Sequence, residues 1–156
     1  MMPIGGIMAF ISGFGTGSAA LILALAASPA LAAAGAPVEV DISGVRNARG
    51  AILVCLTANP KAFPDCGRDP KSRKLSIAAR PSVTARFDDI PPGTYAIALI
   101  HDENSNNRMD LALFLPKEGF GMSRNPKIGV GPPKFKSAQF SVAADPVRLP
   151  IQMRYM

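Results

Sequence analysis

Beyond residue 36 apolar and polar side chains alternate with a period of two, proline and glycine cut the pattern into short pieces, and no stretch carries a helical period. Such a chain can fold only by laying short strands side by side. Val38 to Ser43 alternates cleanly, Asn47 to Gly50 reads as a turn, and Ala51 to Thr57 is apolar at nearly every position. The spacing predicts a hairpin, its second strand central and covered on both sides. Ala58 to Ser72, with Pro60, Pro64, Gly67 and Pro70, is an extended loop. Weak alternation over Leu75, Ile77 and Ala79 and a clearer one over Val83, Ala85 and Phe87 give two more strands.

Asp88 to Tyr95 forms a turn entering the strand Thr94 to His101, where Tyr95 is placed to bond back to loop backbone, as in a tyrosine corner. In that strand Tyr95, Ile97, Leu99 and His101 share one face and Ala96, Ala98 and Ile100 the other, with His101 at the rim of the core. After a loop at Gly129 to Pro133, two strands close the chain, through Ala138, Phe140 and Val142 and from Val147 to Tyr155. Pro150 puts the last of them at an edge or a bulge. The total of about seven strands predicts an all-β antiparallel sandwich of immunoglobulin-like or transthyretin-like type, with a small barrel as the competing architecture.

The first 36 residues hold no Asp, Glu, Lys or Arg, and the apolar run Leu21 to Ala27 leads into Ser28-Pro29-Ala30-Leu31-Ala32. That pattern predicts a secretory signal peptide over residues 1–32 and a single domain over 33–156, periplasmic or secreted. The usual positive n-region is missing, since the first basic residue is Arg46. A retained anchor is the alternative, but the apolar run falls short of the roughly 20 residues a span needs. No membrane span is expected in the mature chain. In an oxidising compartment the two cysteines, Cys55 and Cys66, are expected to form a disulfide. The formal net charge of +6 lies wholly in the mature part. It speaks for solubility and, second, for anionic envelope components as partners, whereas nucleic acid suits neither an exported chain nor one with few aromatics.

The stretch His101 to Asp110 carries most of the chemistry. Asp102, Asn104, Asn106 and Asp110 stand at positions one, three, five and nine of a loop in which Arg108 supplies the position-seven carbonyl, the opening of an EF-hand-type calcium loop. Asn107 replaces the usual position-six glycine and Leu113 the position-twelve glutamate, a ligand that Glu118 could supply by folding back. With so few carboxylates, calcium affinity should be weak, on the order of 10⁻⁴–10⁻³ M. The alternative is a metal-free loop whose Asp and Asn side chains bond to their own backbone. No cofactor other than calcium and no catalytic residue is assigned. A Cys55–His101 nucleophile and base is less favoured than the disulfide, and the only histidine, His101, reads first as structural. A non-enzymatic binding or envelope-accessory module is therefore the first expectation. The runner-up is a hydrolase or carbohydrate-active enzyme using Asp102, Glu103, Asp110 or Glu118 as acid and base.

Ile90-Pro91-Pro92-Gly93-Thr94-Tyr95-Ala96, His101-Asp102-Glu103-Asn104-Ser105-Asn106, Pro116 to Ser123 and Gly131-Pro132-Pro133 together resemble the bacterial secreted family known as domain of unknown function 2141. The family pattern reads His-Asp-Glu-Asn-x-Asn-Gly with a lysine and an aspartate after it. Here Asn107 stands for the glycine and Arg108 for the lysine, while Asp110 matches. The resemblance implies the β fold and an exported location, and it implies no activity. One functional face, formed by the Asp102–Asp110 loop and the Pro116–Ser123 segment, is the resulting expectation.

Overall fold

The computed structural model describes residues 34–156 apart from Phe114, Ile128, Val130 and Pro132. The expected leader and its cleavage point before Ala33 lie outside the described residues. Among the described residues ten strands run in chain order as β1 (Ala36–Ser43), β2 (Ala51–Thr57), β3 (Arg73–Ala78), β4 (Ser82–Ile90), β5 (Gly93–Asp102), β6 (Leu111–Ala112), β7 (Leu115–Pro116), β8 (Gly119–Met122), β9 (Phe140–Val142) and β10 (Val147–Gln152). A single helical turn, α1 (Phe135–Ala138), precedes β9.

Two open sheets carry the fold, one ordered β10-β1-β4 and the other β3-β2-β5-β8, with β9 continuing along β5. Residues 34–156 thus make an all-β sandwich rather than a closed barrel. The inner faces meet in one apolar core. Val38, Val40 and Ile42 of β1 and Ala85 and Phe87 of β4 pack with Ile52, Val54 and Leu56 of β2 and Ile97 and Leu99 of β5. Alternation in β1 leaves Glu39 and Asp41 on the wet face, where Arg86 pairs with Glu39 and Arg148 with both acids. Opposite charges across strands add about 0.2–1 kcal/mol per pair.

The expected β1–β2 hairpin does not form. β1 pairs with β4 and β10, and β2 with β3 and β5. The residues between them carry the chain from one sheet to the other, so the apolar faces of β1 and β2 stack across the core instead of lying edge to edge. β10 also departs from an all-antiparallel plan, running parallel to β1 with Val38 opposite Val147 and Ile42 opposite Ile151. Side-chain alternation is the same for either direction, so it leaves strand polarity open. β10 occupies the sheet edge, where Pro150 needs no ladder partner on its free side, as expected.

On its outer face the larger sheet carries a second apolar cluster. Ala96 and Ala98 of β5, Phe120 and Met122 of β8, Phe63 and Ala138 are buried together, and Phe63 meets Phe135 edge to face at 5.9 Å between centroids. β5 is therefore buried on both sides from Ala96 to Leu99, more completely than β2, whose outward Leu53 and Cys55 are half-buried. The long loop returns to the sheet through the expected Cys55–Cys66 disulfide, with Cα atoms 6.3 Å apart. The Thr57 hydroxyl also donates to Asp69 at 2.6 Å. Tyr95 closes the expected corner, its hydroxyl donating to the Pro91 carbonyl at 3.0 Å.

Candidate functional site

β5 ends on two fully buried polar residues, His101 and Asp102, before the chain turns into the polar loop. Asp102 is held by that loop's backbone: Oδ1 accepts from the Asn106 amide at 3.0 Å and Oδ2 from the Asn107 amide at 2.7 Å. Those bonds demand a tight curl. Ser105 and Asn107 supply it with φ of 60° and 61°, a left-handed conformation that asparagine tolerates better than most residues. Asn104 and Asn106 turn toward Asp110. Asn104 Nδ2 donates to its carboxylate at 2.6 Å and Asn106 Nδ2 to both of its oxygens at 3.0 Å. The amide donors, Asn104 first, hold the Asp110 carboxyl below its ordinary range. Asn106 Oδ1 accepts from the Arg108 amide at 3.0 Å.

Glu118 folds back to this loop across the short β6–β7 ribbon. Its Oε2 accepts from the Asp110 amide at 3.2 Å, while its buried Oε1 makes no well-formed hydrogen bond, the Glu103 amide also facing the carboxylate. Only 4 % of Glu118 is exposed. Burial first, then the neighbouring Asp102 and Asp110 carboxylates, push its carboxyl above the ordinary value. The Lys117 amide donates to the Asp110 carbonyl at 2.9 Å, so Asp110 and Glu118 close the stem of the ribbon from both sides.

A second polar group stands immediately beside the first and is fully paired. His101 Nε2 faces the Arg49 carbonyl at 2.8 Å and Nδ1 faces the Tyr155 hydroxyl at 2.9 Å. A carbonyl can only accept, which places a proton on Nε2, and Nδ1 shares its bond with the Tyr155 hydroxyl. The Tyr155 oxygen in turn accepts from the Arg46 amide at 3.0 Å, and the Arg46 guanidinium lies 4.5 Å over the Tyr155 ring. Arg46 and Asn47 both bond to the Glu103 carboxylate. The Arg46 bond is the main reason its pKa is drawn down to about 2. Two glycines permit this crowding. A Cβ on Gly50, whose φ is +66°, would lie 1.9 Å from the Asp102 carbonyl oxygen, and one on Gly119 would lie 2.2 Å from the Tyr155 ring.

Asp102, Asn104, Asn106 and Asp110 thus come together, and Glu118 joins them. Arg108 lies at the loop's outer side, its guanidinium 3.8 Å from Asp110. Glu103 turns away into the paired network, and His101, fully buried, stands at the end of β5 where the apolar core meets that network. Gly119 to Met122, expected on the functional face, instead forms β8 of the larger sheet. Cys55 and His101 make no pair, since Cys55 lies on the outer face of β2 in its disulfide while His101 points into the sandwich. Arg46, Asn47, Gly50 and Tyr155 went unmarked by the motif, and only the spacing-free signal of a tyrosine in a closing strand hinted at one of them. Among the described residues, no three His, Cys, Asp or Glu side chains form a ready-made metal centre. The loop's oxygens bond first to its own amides.

A family model described as an uncharacterised protein conserved in bacteria (DUF2141) matches residues 40–149, from β1 into β10 and through the whole polar loop. No curated protein and no solved structure gives a significant match.

Proposed function

The chain belongs to the DUF2141 family, and from that premise we propose that it is an exported, non-enzymatic binding or accessory module of the bacterial envelope whose Asp102–Glu118 cluster takes up calcium weakly. The buried, unpartnered Oε1 of Glu118 carries this reading. Leaving a buried carboxylate oxygen unpaired costs about 1–3 kcal/mol, and here Asp102 and Asp110 add like charge beside it. A divalent cation drawn in among these carboxylates, once the loop rearranges, would offset that like charge. Asp102, Asn104, Asn106, the Arg108 carbonyl, Asp110 and Glu118 are the oxygens on offer, with Glu118 in the role that Leu113 cannot fill. Calcium would take the place of the Asn104 and Asn106 amide hydrogens now facing Asp110, so binding requires those amides to turn. That rearrangement keeps the affinity low. Export is supported by the charge-free leader sequence and by the Cys55–Cys66 bridge, which persists in oxidising compartments.

Calorimetric titration of the domain with calcium tests the cluster. With a dissociation constant on the order of 10⁻³ M, 10 mM calcium adds about 1.4 kcal/mol and raises the melting temperature by about 5 °C. Glu118→Gln should abolish most of that rise. The absence of both heat and thermal shift at millimolar ion overturns calcium binding. Cell fractionation with N-terminal sequencing tests export, with Ala33 as the expected first residue.

One observation favours the runner-up enzyme: Glu118 is pushed up and Asp110 held down, the separation that acid and base partners need. Burial weighs against it. At 4 % exposure the Glu118 carboxyl is out of reach of a glycosidic oxygen, and bulk hydrolysis assays on model glycosides should stay at background.

A further inference from the structure

Four large apolar side chains are more than half exposed among the described residues: Leu111 at 59 %, Leu113 at 92 %, Leu115 at 57 % and Met156 at 60 %. Three of them sit on one element. β6 and β7 pair Leu111 with Pro116 and Ala112 with Leu115, and Leu113 stands at the turn between them. It does so at φ 48°, where glycine or asparagine would be less strained. The ribbon projects from the sandwich, its stem clamped by the Lys117–Asp110 and Asp110–Glu118 hydrogen bonds.

The charges around the stem are sorted by exposure. Arg108 and Arg49 side chains are 77 % and 73 % exposed, Arg46 42 %, and Lys117 is exposed as well. The acids at the same place are covered: Asp102 and Glu118 are buried, Glu103 is 12 % exposed and paired with Arg46, and Asp110 is 28 % exposed and bonded to two amides. A convex apolar tip above a ring of largely exposed cations complements a layer that is apolar inside and anionic at its surface. A protein groove would demand no such ring.

We propose that the β6–β7 ribbon is a membrane-docking tip, Leu111, Leu113 and Leu115 entering the outer few ångströms of an anionic bilayer while Arg49, Arg108 and Lys117 engage its headgroups. This deepens the envelope-accessory reading and stands apart from calcium.

Residues 32–156 form a compact unit with its own core, and that unit, with its fold verified by circular dichroism, is the species for vesicle co-sedimentation. Vesicles of equal phosphatidylglycerol and phosphatidylcholine should bind it, and phosphatidylcholine alone should bind it at least fivefold less. Leu113→Asp should cut the partition coefficient at least tenfold, and the pair Leu111→Ser and Leu115→Ser should do the same. The pair Arg108→Glu and Lys117→Glu should weaken binding severalfold and flatten its salt dependence. Absence of binding to the anionic vesicles overturns the inference, as does binding that Leu113→Asp leaves unchanged. A dimer in solution that Leu113→Asp dissolves, without vesicle binding, overturns it in favour of a second copy. Vesicle binding in EDTA without calcium heat keeps this inference and retires the calcium site, and calcium heat without vesicle binding does the reverse. Vesicle binding by a chain that fractionation finds unexported would keep the tip and retire the envelope role.

Discussion

Two polar clusters lie side by side at the end of β5 and solve the same burial problem in opposite ways. Around His101 and Tyr155 every contact has its complement: ring nitrogen with hydroxyl, ring N–H with carbonyl, Glu103 with Arg46 and Asn47. Around Asp102, Asp110 and Glu118 the covered acids have only exposed cations for neighbours, and one carboxylate oxygen has no partner. The first cluster is finished by the fold and holds the two sheets together. The second keeps a buried carboxylate oxygen unpaired, and calcium is proposed there on that difference. Titration follows the same division, with Glu103 held down to about 2 and Glu118 pushed up.

Gly50→Ala would strike both clusters at once. The added methyl collides with the Asp102 carbonyl in a left-handed backbone, and a loss on the order of 3 kcal/mol is expected in urea unfolding. Tyr155→Phe opens only the finished cluster. It removes the hydroxyl that bonds His101 Nδ1 and accepts from the Arg46 amide, so stability should fall by about 1–3 kcal/mol, and calcium heats should remain.

The pH dependence of stability separates the clusters without mutation. Glu103 has a lowered pKa, so its contribution is present above its ordinary value of 4.5 and is lost as pH falls toward about 2. Glu118 has a raised pKa. The folded state therefore holds its proton more tightly than the unfolded chain does, and its contribution is present below 4.5 and lost as pH rises through the raised value. Denaturation at pH 3 to 7 should show both slopes. Calcium should remove the second and leave the first.

The smallest effect should come from Glu118→Gln without metal. Replacing a strained buried carboxylate by a neutral isostere should change stability by less than about 1 kcal/mol, in the stabilising direction at pH 7. A loss of 2 kcal/mol or more would show Glu118 to be as well compensated as Glu103, and the contrast between the clusters would collapse.

Short-range features were the ones legible from the residues. Alternation placed β1, β4, β5 and β10, two prolines and a glycine before Tyr95 announced its corner, and a cysteine pair with one plausible partner each gave the bridge. Asn107 took the left-handed position that its side chain suits, and Glu118 returned to the loop as its carboxylate allowed. Partnerships over long separations were hidden. Nothing in Val38 to Ser43 says whether its apolar face meets Ala51 to Thr57 across a core or its edge meets the same strand in a ladder. The four residues of β8 include two glycines, a poor strand signal, yet Gly119 is small because the Tyr155 ring lies over it and Gly121 because Ile151 does. The Glu103 partners Arg46 and Asn47 lie more than fifty residues away, and a local pattern carries no trace of them.

The parallel union of β1 with β10 has a bearing on how the molecule comes into being. The first of the described strands finds one of its two neighbours only when Val147 to Gln152 has been made, and Tyr155 reaches His101 later still. Until then β1 has one bare edge and the sandwich cannot shut. A nascent chain of this kind waits as an unfinished, threadable polymer and then folds in one late step dominated by distant contacts, which is slow on the scale of small domains.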